Sequence, residues 1–117
     1  MKTEQIPHLL IDAFECIGPL DDIEHLRRAM HAGAERVGAT VVGQAECRYV
    51  PHGITAVLFL AESHILVSTW PEHKTALVDV LLCNDQMDAE VVADVILDAI
   101  GAARSEIRQV DRLLVDG

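Results

Sequence analysis

The stretch Ile54-Thr55-Ala56-Val57-Leu58-Phe59-Leu60-Ala61-Glu62-Ser63-His64-Ile65-Leu66-Val67-Ser68-Thr69-Trp70 decides the fold. Ile54 to Ala61 is a nearly continuous apolar run, and Ile65 to Trp70 resumes a β pattern before Pro71 closes it. A run this apolar belongs to a strand covered on both faces, or by helices on one face and a partner subunit on the other. Between the two runs stand Glu62, Ser63 and His64, where a bland fold would place a hydrophobe or a Gly/Asn turn. The plain reading of this tripeptide is a β-turn or bulge. Adjacent Ser and His do not make a catalytic dyad, because neighbouring strand side chains point to opposite faces.

Working outward, more strands and two helices appear. His8 to Ile17 is apolar and ends at Gly18-Pro19, as a strand followed by a turn would. Asp21 with Glu24 offers a capping box, after which Ile23, Leu26, Met30, Ala34 and Val37 recur at helical spacing until Gly38. Thr40 to Val50 is β-rich and is broken at Pro51-His52-Gly53. Downstream, Ala76 to Leu82 is another strand, closed by Cys83-Asn84-Asp85. Asp88 caps a second helix with Val91, Val92, Val95, Ile96 and Ile100 on one face, ended by Gly101, and Ile107 to Val115 is a last strand. Strands clustered between two helices predict one α+β domain spanning 1–117: a two-layer sandwich, mainly antiparallel, with helices on one face.

Bulk properties narrow the partners. The 117 residues carry a formal net charge of −10, so neither nucleic acid nor an anionic membrane is an expected partner, since both require clustered Lys and Arg. A small, cationic ligand suits that field better. The three cysteines, Cys16, Cys47 and Cys83, form an odd set, and no export signal or membrane-length apolar run is visible. These features predict a soluble, cytoplasmic protein. His8, His64, His73 and Cys83 show no zinc-ligand spacing, so no metal site is expected. Cys83 ends an apolar strand, where a thiol is either a small hydrophobe or an acid or nucleophile. Neither a GxGxxG nor another phosphate-binding loop is present.

Pro51-His52-Gly53-Ile54-Thr55, then Leu60-Ala61-Glu62-Ser63-His64-Ile65, then Thr69-Trp70-Pro71-Glu72, then Ala76 to Cys83 resemble the core of prokaryotic S-adenosylmethionine decarboxylases, a family of pyruvoyl-dependent proenzymes. The resemblance extends upstream through His8-Leu9, Phe14-Glu15-Cys16 and Gly38-Ala39-Thr40, and covers nearly the whole chain up to Asp85. It implies that the Ser63 hydroxyl attacks the Glu62 carbonyl. Cleavage then yields fragments 1–62 and 63–117, with a pyruvoyl group derived from Ser63 at the new N-terminus. That carbonyl would condense with a substrate amine and accept the electrons released with carbon dioxide. By the same resemblance Cys83 is the proton donor, Glu72 binds ribose hydroxyls, Tyr49 stacks on adenine, and Phe14 is a second aromatic. A homodimer of processed protomers is implied, as is a role in supplying decarboxylated S-adenosylmethionine for spermidine synthesis.

The chain departs from the family at two places. Ser68 stands where a histidine usually assists processing, and Thr55 where a serine is usual. Loss of a placed base typically costs about 10²–10⁴-fold in a proton transfer. His64 and His73 are alternative bases. Residue 68 can reach the cleavage point only if the Glu62-Ser63 turn folds over it, and the resemblance implies that it does. Two further functions stay open: decarboxylation of arginine or ornithine by the same chemistry, and an unprocessed paralogue that binds a ligand or partner subunit.

Overall fold

The computed structural model describes residues 4–83 and 86–115. Six strands and two helices follow in the order β1 (Glu4–Cys16), α1 (Ile23–Arg36), β2 (Val41–Arg48), β3 (Ile54–Leu60), β4 (Ser63–Trp70), β5 (Thr75–Leu81), α2 (Ala89–Ala99) and β6 (Ala102–Val115). A short 3₁₀ turn, Pro71–His73, joins β4 to β5. The strands form one sheet in the order β2-β3-β4-β5-β1-β6, antiparallel at every pairing. Both helices lie on one face, giving the two-layer α+β sandwich that the pattern implied.

The core fills the space between that face and the helices. Leu9, Ile11, Leu58, Ile65, Val67 and Val80 rise from the sheet to meet Leu26, Met30, Val92, Ile96 and Ile100. At Gly33 of α1 a Cβ would sit 3.1 Å from Val92 Cγ1, so a bare backbone lets the helices approach closely. The α1 N-cap is Asp22, whose carboxylate accepts from His25 N–H at 3.1 Å. Asp21, the residue expected there, instead accepts from Gly53 N–H at 2.8 Å and ties the helix start to the β2–β3 turn. The helix ends in a Schellman motif at Gly38, with Gly38 N–H to Glu35 O and Ala39 N–H to Ala34 O.

β3 is covered on one face only. Ile54, Ala56, Leu58 and Leu60 are buried, while Thr55 and Val57 are half-buried and Phe59 is exposed. The open face continues through Leu10, Leu66 and Leu77 to β6, which is exposed along nearly its whole length. β1 and β6 both begin earlier than expected, at Glu4 and Ala102. Their mutual pairing from Glu4↔Val115 to Cys16↔Ala102 extends them where local apolar alternation is weak.

Candidate active site

The β3–β4 hairpin turns on two residues, Ala61 and Glu62, since Leu60 pairs with Ser63. Glu62 holds φ at +68°, a left-handed conformation usual for Gly or Asn at this turn position. For a residue with a Cβ this costs roughly 1–2 kcal/mol. Ser63 opens β4, and its Oγ lies 3.5 Å from Ala61 O, directed back over the turn. The hydroxyl, the strained residue and the bond between them therefore sit together at a hairpin tip. Cys83 follows β5 at the same end of the sheet, because His64 pairs with Leu81.

A second group lies at the other end of β4. Tyr49, His52, Thr55, Ser68, Thr69, Trp70 and Glu72 line a cavity of about 320 Å³. Its hydroxyls are chained: Tyr49 Oη donates to Thr55 Oγ1 at 3.0 Å, and Thr55 Oγ1 is 3.0 Å from Ser68 Oγ. His52 Nε2 is 3.2 Å from Glu72 Oε1, which leaves the second carboxylate oxygen for a ligand. An aromatic, a carboxylate and two hydroxyls around one cavity can stack on a planar base and accept from a pair of sugar hydroxyls. Phe14 does not line this cavity; its ring lies under the Arg104 guanidinium, 4.5 Å from the ring centre.

The structure thus brings Tyr49, Thr55, Ser68 and Glu72 together but holds Ser63, His64 and Cys83 apart from them. β4 is extended and paired from Ser63 to Trp70, so Ser63 and Ser68 are about 17 Å apart along the strand. Within one chain the Glu62-Ser63 turn does not fold over Ser68, contrary to expectation. The regular ladder with β3 and β5 leaves no slack for it.

One cluster had no sequence signal beyond polar residues in apolar strands. His8 Nε2 and His64 Nε2 both meet Asp79 Oδ1, the latter at 2.9 Å, and the two rings stand edge to face at 5.8 Å. The register makes the cluster, because His8 and His64 both pair with Leu81 across β5 and share Asp79's face. Arg112 donates to His8 Nδ1 at 3.1 Å. Arginine can only donate, so Nδ1 of His8 accepts and Nε2 carries the proton given to Asp79. That tautomer opposes metal ligation through Nε2, although the three side chains are close enough to share an ion. Cys16 is buried, and burial pushes its thiol above the ordinary range, which leaves it an inert core residue.

The family model for S-adenosylmethionine decarboxylase matches residues 7–113. The chain belongs to the S-adenosylmethionine decarboxylase family. It is 35% identical over 105 residues to the S-adenosylmethionine decarboxylase proenzyme of Pseudomonas paraeruginosa strain PA7, covering 89% of this chain and 66% of that protein. With the proenzyme of Prochlorococcus marinus MIT 9313 it shares 33% identity over 106 residues, 90% of this chain and 85% of that one. The crystal structure of adenosylmethionine decarboxylase from Aquifex aeolicus superposes with a TM-score of 0.86 at 30% identity, over 99% of this chain and 96% of that chain. The chain therefore spans about two thirds of the Pseudomonas relative and nearly all of the Aquifex one. Among the described residues no helix is long and apolar enough to cross a membrane.

Proposed function

We propose that this member of the S-adenosylmethionine decarboxylase family is a proenzyme that cleaves itself between Glu62 and Ser63 and then decarboxylates S-adenosylmethionine, for spermidine synthesis. The carrying observation is the hairpin tip: Ser63 directly follows a left-handed Glu62, with its hydroxyl turned back toward the turn. Strain of this kind at a tight turn favours loss of the planar amide that maintains it. The pyruvoyl group formed from Ser63 supplies a carbonyl that takes the substrate amine and holds the electrons left by carbon dioxide.

The chain's own residues do the rest. Tyr49 stacks on the adenine and Glu72 accepts from the ribose hydroxyls. Cys83, at the Ser63 end of the sheet, returns a proton to the carbon that lost its carboxylate. These two halves lie apart in one chain, and the open sheet face mixes apolar residues such as Leu10, Leu66 and Leu77 with the charged network of His8, His64 and Asp79. A homodimer joined face to face about a two-fold axis sets the Ser63 end of one protomer against the Glu72 end of the other. The net charge of −10 draws the cationic sulfonium substrate toward that site.

Denaturing mass spectrometry tests the processing. Two chains, 1–62 and 63–117, are expected from wild type and one full-length chain from Ser63→Ala. Persistent cleavage in Ser63→Ala ends the proposal. Ser68 favours a second function, an unprocessed paralogue that binds a ligand or partner, and a full-length wild-type chain would establish it.

A further inference from the structure

Self-cleavage as proposed above has two proton-transfer demands, and Ser68 meets neither. The Ser63 hydroxyl adds to the Glu62 carbonyl, and the C–N bond breaks to give an ester and a free amine. A base then removes the proton on Ser63 Cα; the electron pair forms Cα=Cβ, and the ester C–O bond breaks to release the Glu62 carboxylate. The resulting enamine tautomerises to an imine, and water hydrolyses it to the pyruvoyl carbonyl with release of ammonia. The Cα proton needs a base near residue 63. A serine hydroxyl is far too weak a base at neutral pH.

His64 is the residue joined to Ser63 by the next peptide bond, and its ring is held in place. Asp79 can only accept when ionised, so His64 Nε2 carries the proton at that 2.9 Å contact, and in the neutral ring Nδ1 keeps its lone pair. Asp79 is itself fixed from the other side by His8, which is 8% exposed and whose tautomer is set by Arg112. The groups facing His64 are thus Asp79 from β5 and His8 from β1, with Arg112 of β6 behind them; its β3 neighbour, Phe59, is uncharged. A carboxylate orienting an imidazole so that its other nitrogen is the base is the logic of hydrolase triads. The network crosses four strands of the sheet to hold the ring of the residue that directly follows Ser63.

We propose that His64 is the base for cleavage at Glu62–Ser63, replacing the imidazole absent at 68, and that Asp79 and His8 are its positioning residues. This rests on the self-processing function above. Unprocessed full-length chain, isolated rapidly, is followed by denaturing mass spectrometry for the rate of cleavage. His64→Gln retains a donor for Asp79 and removes the base; cleavage is expected to slow by about 10²-fold or more, with the thermal transition unchanged. Free imidazole added to His64→Gly is expected to restore part of the lost rate. Asp79→Asn is expected to slow cleavage, and Asp79→Glu to recover part of the loss, a pattern that general destabilisation would not produce. Wild-type rates in His64→Gln and His64→Gly would overturn the role of His64 while leaving self-processing intact. A wild-type chain that never cleaves would overturn both.

Discussion

The two ends of β4 are built for different tasks. At the Ser63 end the chain is tight and strained: a two-residue turn, a left-handed Glu62 and a ring clamped by Asp79. At the Trp70 end it is open: a cavity, exposed Trp70 and a line of hydroxyls from Tyr49 to Ser68. Strain and fixed geometry suit a bond that breaks once. An open, polar and aromatic cavity suits a ligand that enters and leaves at every turnover. Because one regular strand separates the two ends, the comparison predicts that they can be damaged independently and that a second protomer is needed to join them.

The largest effect should come from mixing variants. Ser63→Ala lacks the cleavage hydroxyl, and Tyr49→Ala lacks the stacking ring; each homodimer should be inactive or weakly active at low substrate concentration. If the proposed homodimer forms, co-expression gives heterodimers in which one site takes Ser63 from one protomer and Tyr49 from the other. Return of a wild-type KM in the mixed preparation supports the shared site, and no gain over the separate variants breaks it.

Next come the single substitutions at the open end. Base stacking on an aromatic is worth about 1–3 kcal/mol, so Tyr49→Ala should raise KM for S-adenosylmethionine by about 10-fold or more. Glu72→Gln loses charge-assisted hydrogen bonds and should also raise KM about 10-fold, with a smaller change in kcat. Initial-rate kinetics decide both, and an effect confined to kcat would place these residues at the chemistry rather than in binding.

The smallest effect is at the turn. In the Ser63→Ala background, where the chain stays whole, Glu62→Gly relieves the left-handed backbone. It should stabilise the proenzyme by about 1 kcal/mol in urea unfolding. A loss of stability would show that the Glu62 side chain contributes more than its backbone costs.

Much of this was legible in the residues, for identifiable reasons. The apolar runs from Ile54 and Ile65, and the amphipathic pattern of Ile23 to Val37, follow from burial on one face and so appear in local sequence. The N-cap was misplaced by one residue, because Asp21 and Asp22 are chemically equal and only the contact to Gly53 separates them. The start of β6 at Ala102 depends on pairing with β1, a partner far away in sequence. Tyr49, Thr55, Ser68 and Glu72 were found by motif, and they converge because β3 and β4 pair in register with Thr55 opposite Ser68. The distance from Ser68 to Ser63 was misjudged, since a motif gives neighbours in sequence and not the strand that separates them. His8 reads only as the start of a strand, and nothing local singles out Asp79, one polar residue inside an apolar strand. Their meeting at His64 depends on two strand registers that no local pattern encodes.

The most direct test of the account is the mass of the 63–117 fragment after incubation with S-adenosylmethionine and cyanoborohydride. The account predicts that untreated fragment is lighter than a serine-initiated one by a single ammonia. After treatment it should gain the mass of decarboxylated S-adenosylmethionine less one oxygen, since condensation expels water and reduction adds two hydrogens, and gain nothing with ornithine or arginine. A fragment that begins with intact serine, an adduct formed only with ornithine or arginine, or a chain that remains whole would each contradict it.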